Sequence, residues 1–194
     1  MKKLFIGVLV FCSYTVSAEE IVFDMSVFGY TFGRMVVTKV KENDSTILYS
    51  LKARGKTSFL WMKREDETRY EVRYQNGKLL SSNYIQIESG VTKRWTKINF
   101  DGRKYLVESS NGTKIFTTTP DYSVLAMYFK HPDKRTRVFY EAESNFIDIK
   151  YKEANTLETK AEDGSRTVYF FRNGQLRELE VHLPIATVHM LRVN

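Results

Sequence analysis

The chain has 194 residues, 30 Lys and Arg against 23 Asp and Glu, and a single cysteine. That length suits one self-sufficient domain, which buries roughly 70% of its unfolded surface, and one cysteine excludes a fold held by internal disulfides. The formal charge of +7 is interspersed with acids along alternating positions rather than gathered in one cluster, which disfavours a nucleic-acid partner.

The chain begins Met1-Lys2-Lys3, runs apolar from Leu4 to Cys12, and continues as "SYTVSAEE", in which Val16 and Ala18 match the small-residue pattern of a signal-peptidase site. The expectation is a signal peptide over 1–18, removed with Cys12, and a single all-β domain over 19–194. The product is then exported and periplasmic or associated with the cell envelope. No later run reaches the roughly twenty apolar residues that a spanning helix needs, so no transmembrane segment is expected after processing.

Beyond residue 19 the dominant period is two. Ile47, Tyr49, Leu51 and Ala53 alternate with polar or outward positions, as do Tyr70, Val72 and Tyr74, then Ile147, Ile149 and Tyr151, then Leu179, Val181 and Leu183. Such alternation predicts antiparallel strands with one face on a core and one in water. Asn76-Gly77, Asp101-Gly102, Asn111-Gly112, Asp163-Gly164 and Asn173-Gly174 punctuate the runs; each pairs a residue tolerant of positive φ with glycine, as tight hairpin turns require. The reading is mainly β, an antiparallel meander of roughly ten strands curled into a barrel-like or half-barrel sheet.

One stretch breaks the pattern. In "TTTPDYSVLAMYFKHPDKR", Thr119 can cap, Pro120 suits a first helical position, Asp121 adds charge to the first turn, and Pro132 disfavours helix at His131. This predicts one short helix near 120–130, with Tyr122, Leu125 and Phe129 on one side, serving as a plug for the core or as a lid over a ligand cavity. In "SFLWM", Phe59 and Trp61 point to one strand face while Leu60 and Met62 point to the other, so both faces are apolar there. Phe59, Trp61, Tyr122, Leu125 and Phe129 are therefore the candidate ligand-binding residues.

No catalytic residue is assigned. Asp121 and His131 are too far apart along a helix to cooperate, and no nucleophile-elbow motif occurs. His182 and His189, seven residues apart, would lie on opposite faces of one continuous strand unless Pro184 between them breaks the phase, and no cysteine joins them, so neither a metal site nor a cofactor is expected.

The segments "FGYTFGRMVVT", "YEVRYQNGKLLSSNYIQ", "DYSVLAMYFKHP" and "YFFRNGQLRELEVHLPIATVHMLRV" together resemble exported bacterial proteins of unknown function, known mainly from Bacteroidetes, with a periplasmic β-barrel-like domain. The resemblance implies an antiparallel barrel-like fold and no established activity. Two functions follow as expectations: a non-catalytic binding module for a lipid or other apolar or amphipathic ligand inside the curved sheet, or a structural or assembly protein that binds an envelope protein partner through a strand edge or aromatic patch. An enzyme is the least supported reading.

Overall fold

The computed structural model describes residues 17–59 and 62–194, without side chains at 57–64. Among the described residues, fourteen antiparallel strands form one sheet. The first eight, β1 (Ala18–Val27), β2 (Tyr30–Lys41), β3 (Thr46–Phe59), β4 (Met62–Gln75), β5 (Lys78–Glu88), β6 (Val91–Phe100), β7 (Tyr105–Ser109) and β8 (Gly112–Phe116), meander to one edge. After α1 (Val124–Met127), six more strands return from the other edge: β9 (Arg137–Tyr140), β10 (Asn145–Glu153), β11 (Thr156–Lys160), β12 (Arg166–Arg172), β13 (Gln175–His182) and β14 (Thr187–Arg192). Strand β1 pairs with β14, with Met25 opposite Met190, so the first and last strands lie mid-sheet and β8 and β9 are the edges. The count exceeds the expected ten because β7, β8, β9 and β11 are only four or five residues long, too short to show a period.

The curled sheet closes on itself through side chains. Phe116 of β8 and Phe139 of β9 bring their rings to 5.6 Å, and Lys114 Nζ donates to the Glu143 carbonyl at 2.8 Å. Inward-facing residues of alternate strands, among them Phe23, Val37, Val72, Ile98, Leu157 and Leu179, form one core, as period-two alternation requires. At one position the chain packs too closely for any side chain: a Cβ on Gly33 would stand 2.2 Å from the Arg54 carbonyl oxygen, and one on its partner Gly55 would stand 2.7 Å from the Phe32 ring.

The helix is shorter than its sequence signals suggest. It covers four residues, with Ser123 at the N-cap making no side-chain cap bond. The proline-led stretch before it is used as extended chain: the Pro120 carbonyl accepts from the Leu79 amide and the Tyr122 carbonyl from the Phe139 amide. Those bonds to the sheet displace the predicted cap. Asp121 pairs with Arg135 at 2.8 Å instead of lying in a first helical turn, and His131 Nδ1 accepts from the Asp133 amide instead of serving a helix dipole.

Registers fix which turns share an end of the barrel. At the end where the 117–136 crossover and α1 lie, the connections are 42–45, 76–77, 101–104, 154–155 and 173–174. At the other end, among the described residues, are 28–29, 89–90, 110–111, 141–144, 161–165 and 183–186.

Candidate functional site

A cavity of about 340 Å³ lies inside the sheet. Leu51 and Ala53 of β3, Tyr70 of β4, Tyr84 of β5, Tyr140 of β9 and Tyr169 of β12 wall it, each at an inward position of its strand. The α1 segment supplies Leu125 and Tyr128 as its floor. Its exposed lining, Asp163 and Leu183, stands at the opposite end of the strands. The helical segment is therefore a floor, and the lid position is not the one it occupies.

The walls are neutral at physiological pH. Burial raises the Tyr70 and Tyr128 phenols well above the ordinary range and pushes those of Tyr84 and Tyr169 up to about 12. Tyr70 and Tyr84 pack with ring centroids 4.6 Å apart. The Tyr84 hydroxyl donates to Gln86 Oε1 at 3.0 Å, and the Thr159 hydroxyl donates to the Tyr169 oxygen at 3.5 Å. The rings share the lining with the hydroxyls of Thr68, Thr167 and Ser165, a mixture that suits an amphipathic occupant.

At the mouth the chemistry changes. Arg94 lines the cavity and also a polar pocket of about 180 Å³ in the seam between β8 and the 141–144 turn. Its guanidinium stands 3.7 Å from Glu143, whose carboxyl is raised by burial while the Glu162 amide and Arg94 pull it the other way. Thr96 ties this turn down by donating to the Ala142 carbonyl at 2.8 Å.

Deeper in, Glu141 is completely buried, and both its carboxylate oxygens, the Ser123 hydroxyl and the Tyr74 hydroxyl have no hydrogen-bonding partner among the described residues. Burial pushes the Glu141 carboxyl up to about 7; the Ser123 hydroxyl and the Glu141 and Leu125 amides lie near enough to oppose it slightly, but none meets hydrogen-bond geometry. The Tyr74 phenol is raised by burial and then by the Glu141 charge.

Of the three described side chains among the five residues expected to bind a ligand, Leu125 lines the cavity and Tyr122 and Phe129 do not. Tyr122 is held outside it, its hydroxyl donating to the Lys130 carbonyl and its ring covered by Arg135 at 4.8 Å. Phe129 packs on Tyr49 at 5.7 Å with Lys39 over its face. Trp61 and the side chain of Phe59 lie outside the described residues. The tyrosine walls and Arg94 escaped sequence reading: alternation shows that Tyr70 faces inward, but not that Tyr84, Tyr140 and Tyr169 face the same space.

His182 and His189 are brought to one face rather than two, because Leu183–Ala186 turn the chain into a hairpin. Glu180 stands between them, 3.3 Å from His182 Nε2 and 3.4 Å from His189 Nδ1. Glu178, Glu180 and His189 present ligand atoms within 4.8 Å of one another on this outer face.

No helix among the described residues is long and apolar enough to cross a membrane. The architecture defines a class, the barrel-like β proteins with a helix-floored interior. It is similar to the crystal structure of a beta-barrel-like protein of domain of unknown function DUF1849 from Brucella abortus, with a TM-score of 0.58 and 11% identity over 92% of this chain and 96% of that one. No curated protein matches the chain. Residues 23–193 match the model of the family described as domain of unknown function DUF6134, and the protein belongs to that family.

Proposed function

We propose that the protein is an exported, cell-envelope binding module without a catalytic role, holding a lipid or another apolar or amphipathic ligand in the tyrosine-walled cavity. The cavity itself carries this reading. About 340 Å³ of the barrel interior above the α1 floor is left unfilled by side chains, at the lower end of the range typical of small-molecule sites. Empty space beside apolar side chains costs stability, and an apolar occupant offsets that cost. Arg94, shared between the cavity mouth and the polar seam, suits the polar or anionic end of an amphiphile. Export rests on the leader-like sequence of residues 1–18.

Native mass spectrometry and organic extraction of the protein isolated from its own envelope test the reading. An apolar adduct is expected on the wild type and none on Ala53→Phe, which fills the cavity. A wild type that carries no adduct from its native envelope overturns it. A second reading, assembly with an envelope protein partner, is favoured by β8, an edge strand with Ile115 exposed, since such an edge can accept another strand. In-cell crosslinking that captures no partner counts against it.

A further inference from the structure

The outer face of β13 and β14 gathers side chains that ligate metals. Leu179 and Val181 point inward and line the cavity, so the alternating residues Glu178, Glu180 and His182 face outward. The register sets His189 directly opposite Glu180 and Thr187 opposite His182. One oxygen from Glu178, one from Glu180 and one nitrogen from His189 lie within 4.8 Å of one another.

The spacings are those of donors on a common ion. Zinc holds imidazole nitrogen and carboxylate oxygen at about 2.0–2.2 Å, so two donors on one tetrahedral ion stand about 3.3–3.6 Å apart. Glu180 Oε1 is 3.4 Å from His189 Nδ1, and Glu180 Oε2 is 3.3 Å from His182 Nε2. Both separations exceed the usual hydrogen-bond range of about 2.7–3.2 Å. The other nitrogen of His182, Nδ1, meets the Thr187 hydroxyl at 3.0 Å. With that hydroxyl accepting from Nδ1–H, Nε2 turns a lone pair toward the Glu180 carboxylate, and two acceptors so placed need a cation between them.

Charge supplies an independent sign. Elsewhere on the sheet acids are neutralised by side chains: Glu67 by Arg54 and Arg69 at 2.9 and 2.8 Å, and Glu42 by Arg73 at 3.0 Å. Among the described residues no Lys or Arg forms an ion pair with Glu178 or Glu180. Arg177, next to Glu178 in the chain, donates instead to Gln175 Oε1 at 2.9 Å. Arg166, opposite His182 on β12, reaches instead to Glu158 at 3.8 Å. Two carboxylates held this close repel each other, and a divalent cation removes that cost.

We infer that Glu178, Glu180 and His189 bind a divalent transition-metal ion of the zinc class, with a fourth position that water or His182 Nε2 completes. Imidazole with carboxylates and no thiolate disfavours soft monovalent copper, and the nitrogen donor disfavours magnesium and calcium, which take oxygen. The His189 side chain is 45% exposed, so the ion enters from solvent without crossing the barrel. Donors from two strands make the ion a clasp across the hairpin whose inner face walls the cavity. The site does not depend on the cavity holding a ligand.

The full chain, prepared without a histidine tag and stripped with a chelator, is titrated with zinc chloride at micromolar concentration in a calorimeter. One zinc per chain is expected for the wild type and for His131→Gln, which alters the histidine of the 117–136 crossover. Glu180→Gln and His189→Gln are each expected to weaken binding by about tenfold or more. Cobalt(II) is the second probe: a tetrahedral site gives a visible absorption band that zinc abolishes and that His189→Gln lacks. Both substitutions fall on partly exposed side chains, and metal-free thermal unfolding of the variants is expected to match the wild type, which separates lost binding from lost folding. A wild type that takes up no zinc overturns the site, as does equal uptake by His189→Gln, an equal loss in His131→Gln, or displacement of zinc by millimolar calcium.

Discussion

The two ends of the barrel are built from the same strands and differ in almost everything else. At the α1 end the turns are polar, Asn76-Gly77 and Asn173-Gly174 among them, and the 117–136 crossover fills the interior with Leu125, Met127 and Tyr128, all buried. At the opposite end the same turn geometry carries Phe28, the interior is open, and two neighbouring tips, at Phe28 and at Leu183 to Ile185, expose apolar side chains. One end satisfies the rules of a stable fold, and the other departs from them in both packing and turn chemistry. Departures of that kind collect where a protein binds something.

If the closed end is a packed core, truncation there must be costly. Phe139 is fully buried between Phe116 at 5.6 Å and Phe146 at 5.2 Å, across the seam that joins the sheet edges. Phe139→Ala is expected to lose about 3–5 kcal/mol in denaturant unfolding. A loss under about 1 kcal/mol would show that the seam is not part of the cooperative core.

Glu141 tests the same region through pH. Its folded-state pKa, about 7, stands above the ordinary 4.5, so between those values the folded state binds a proton that the unfolded state has released. Stability is therefore fully present below about pH 4.5 and falls as pH rises to about 7, by roughly 3 kcal/mol in all. Glu143 is raised too and adds a change of the same sign, whereas Glu67, held down to about 2 by Arg69 and Arg54, acts only at lower pH. Glu141→Gln should flatten most of the decline, read as the difference between the wild-type and variant stability curves at pH 5 and pH 8. A difference that does not change with pH would mean that the carboxyl has a partner or reaches water.

The strands and two of the turns were legible because their cause is local. Alternation at Ile47–Ala53 and Tyr70–Tyr74 needs only a sheet with one buried face, and Asn76-Gly77 and Asn173-Gly174 need only the φ angles of their turn. The helix ends were not legible. The Pro120 and Tyr122 carbonyls are taken by Leu79 and Phe139, partners 41 and 17 residues away, and long-range bonds override local capping signals. The site was harder still. Leu125 could be found because it breaks the strand pattern, but the tyrosines that wall the cavity lie on four different strands, and only closure of the sheet makes them neighbours. The pairing of His182 and His189 around Glu180 likewise depends on a hairpin at Pro184 that alternation alone does not reveal.

The smallest effect separates the two ends most directly. Phe28 and Asn76 occupy the first central position of turns with nearly identical φ, 50 and 51, so exchanging their side chains exchanges the character of the ends without altering the backbone. Phe28→Asn places a residue that tolerates positive φ where a ring now stands fully in water, and is expected to raise stability by about 0.5–1 kcal/mol. Asn76→Phe should lower it by a similar amount. Thermal unfolding of the two variants reads the sign, a shift of about 1–4 °C in opposite directions for a domain of this size. If Phe28→Asn destabilises, the ring packs on its neighbours and the rim belongs to the fold. If it stabilises, the strained aromatic is retained at the expense of the fold's own interest, and the selective reason for it lies in what the rim touches.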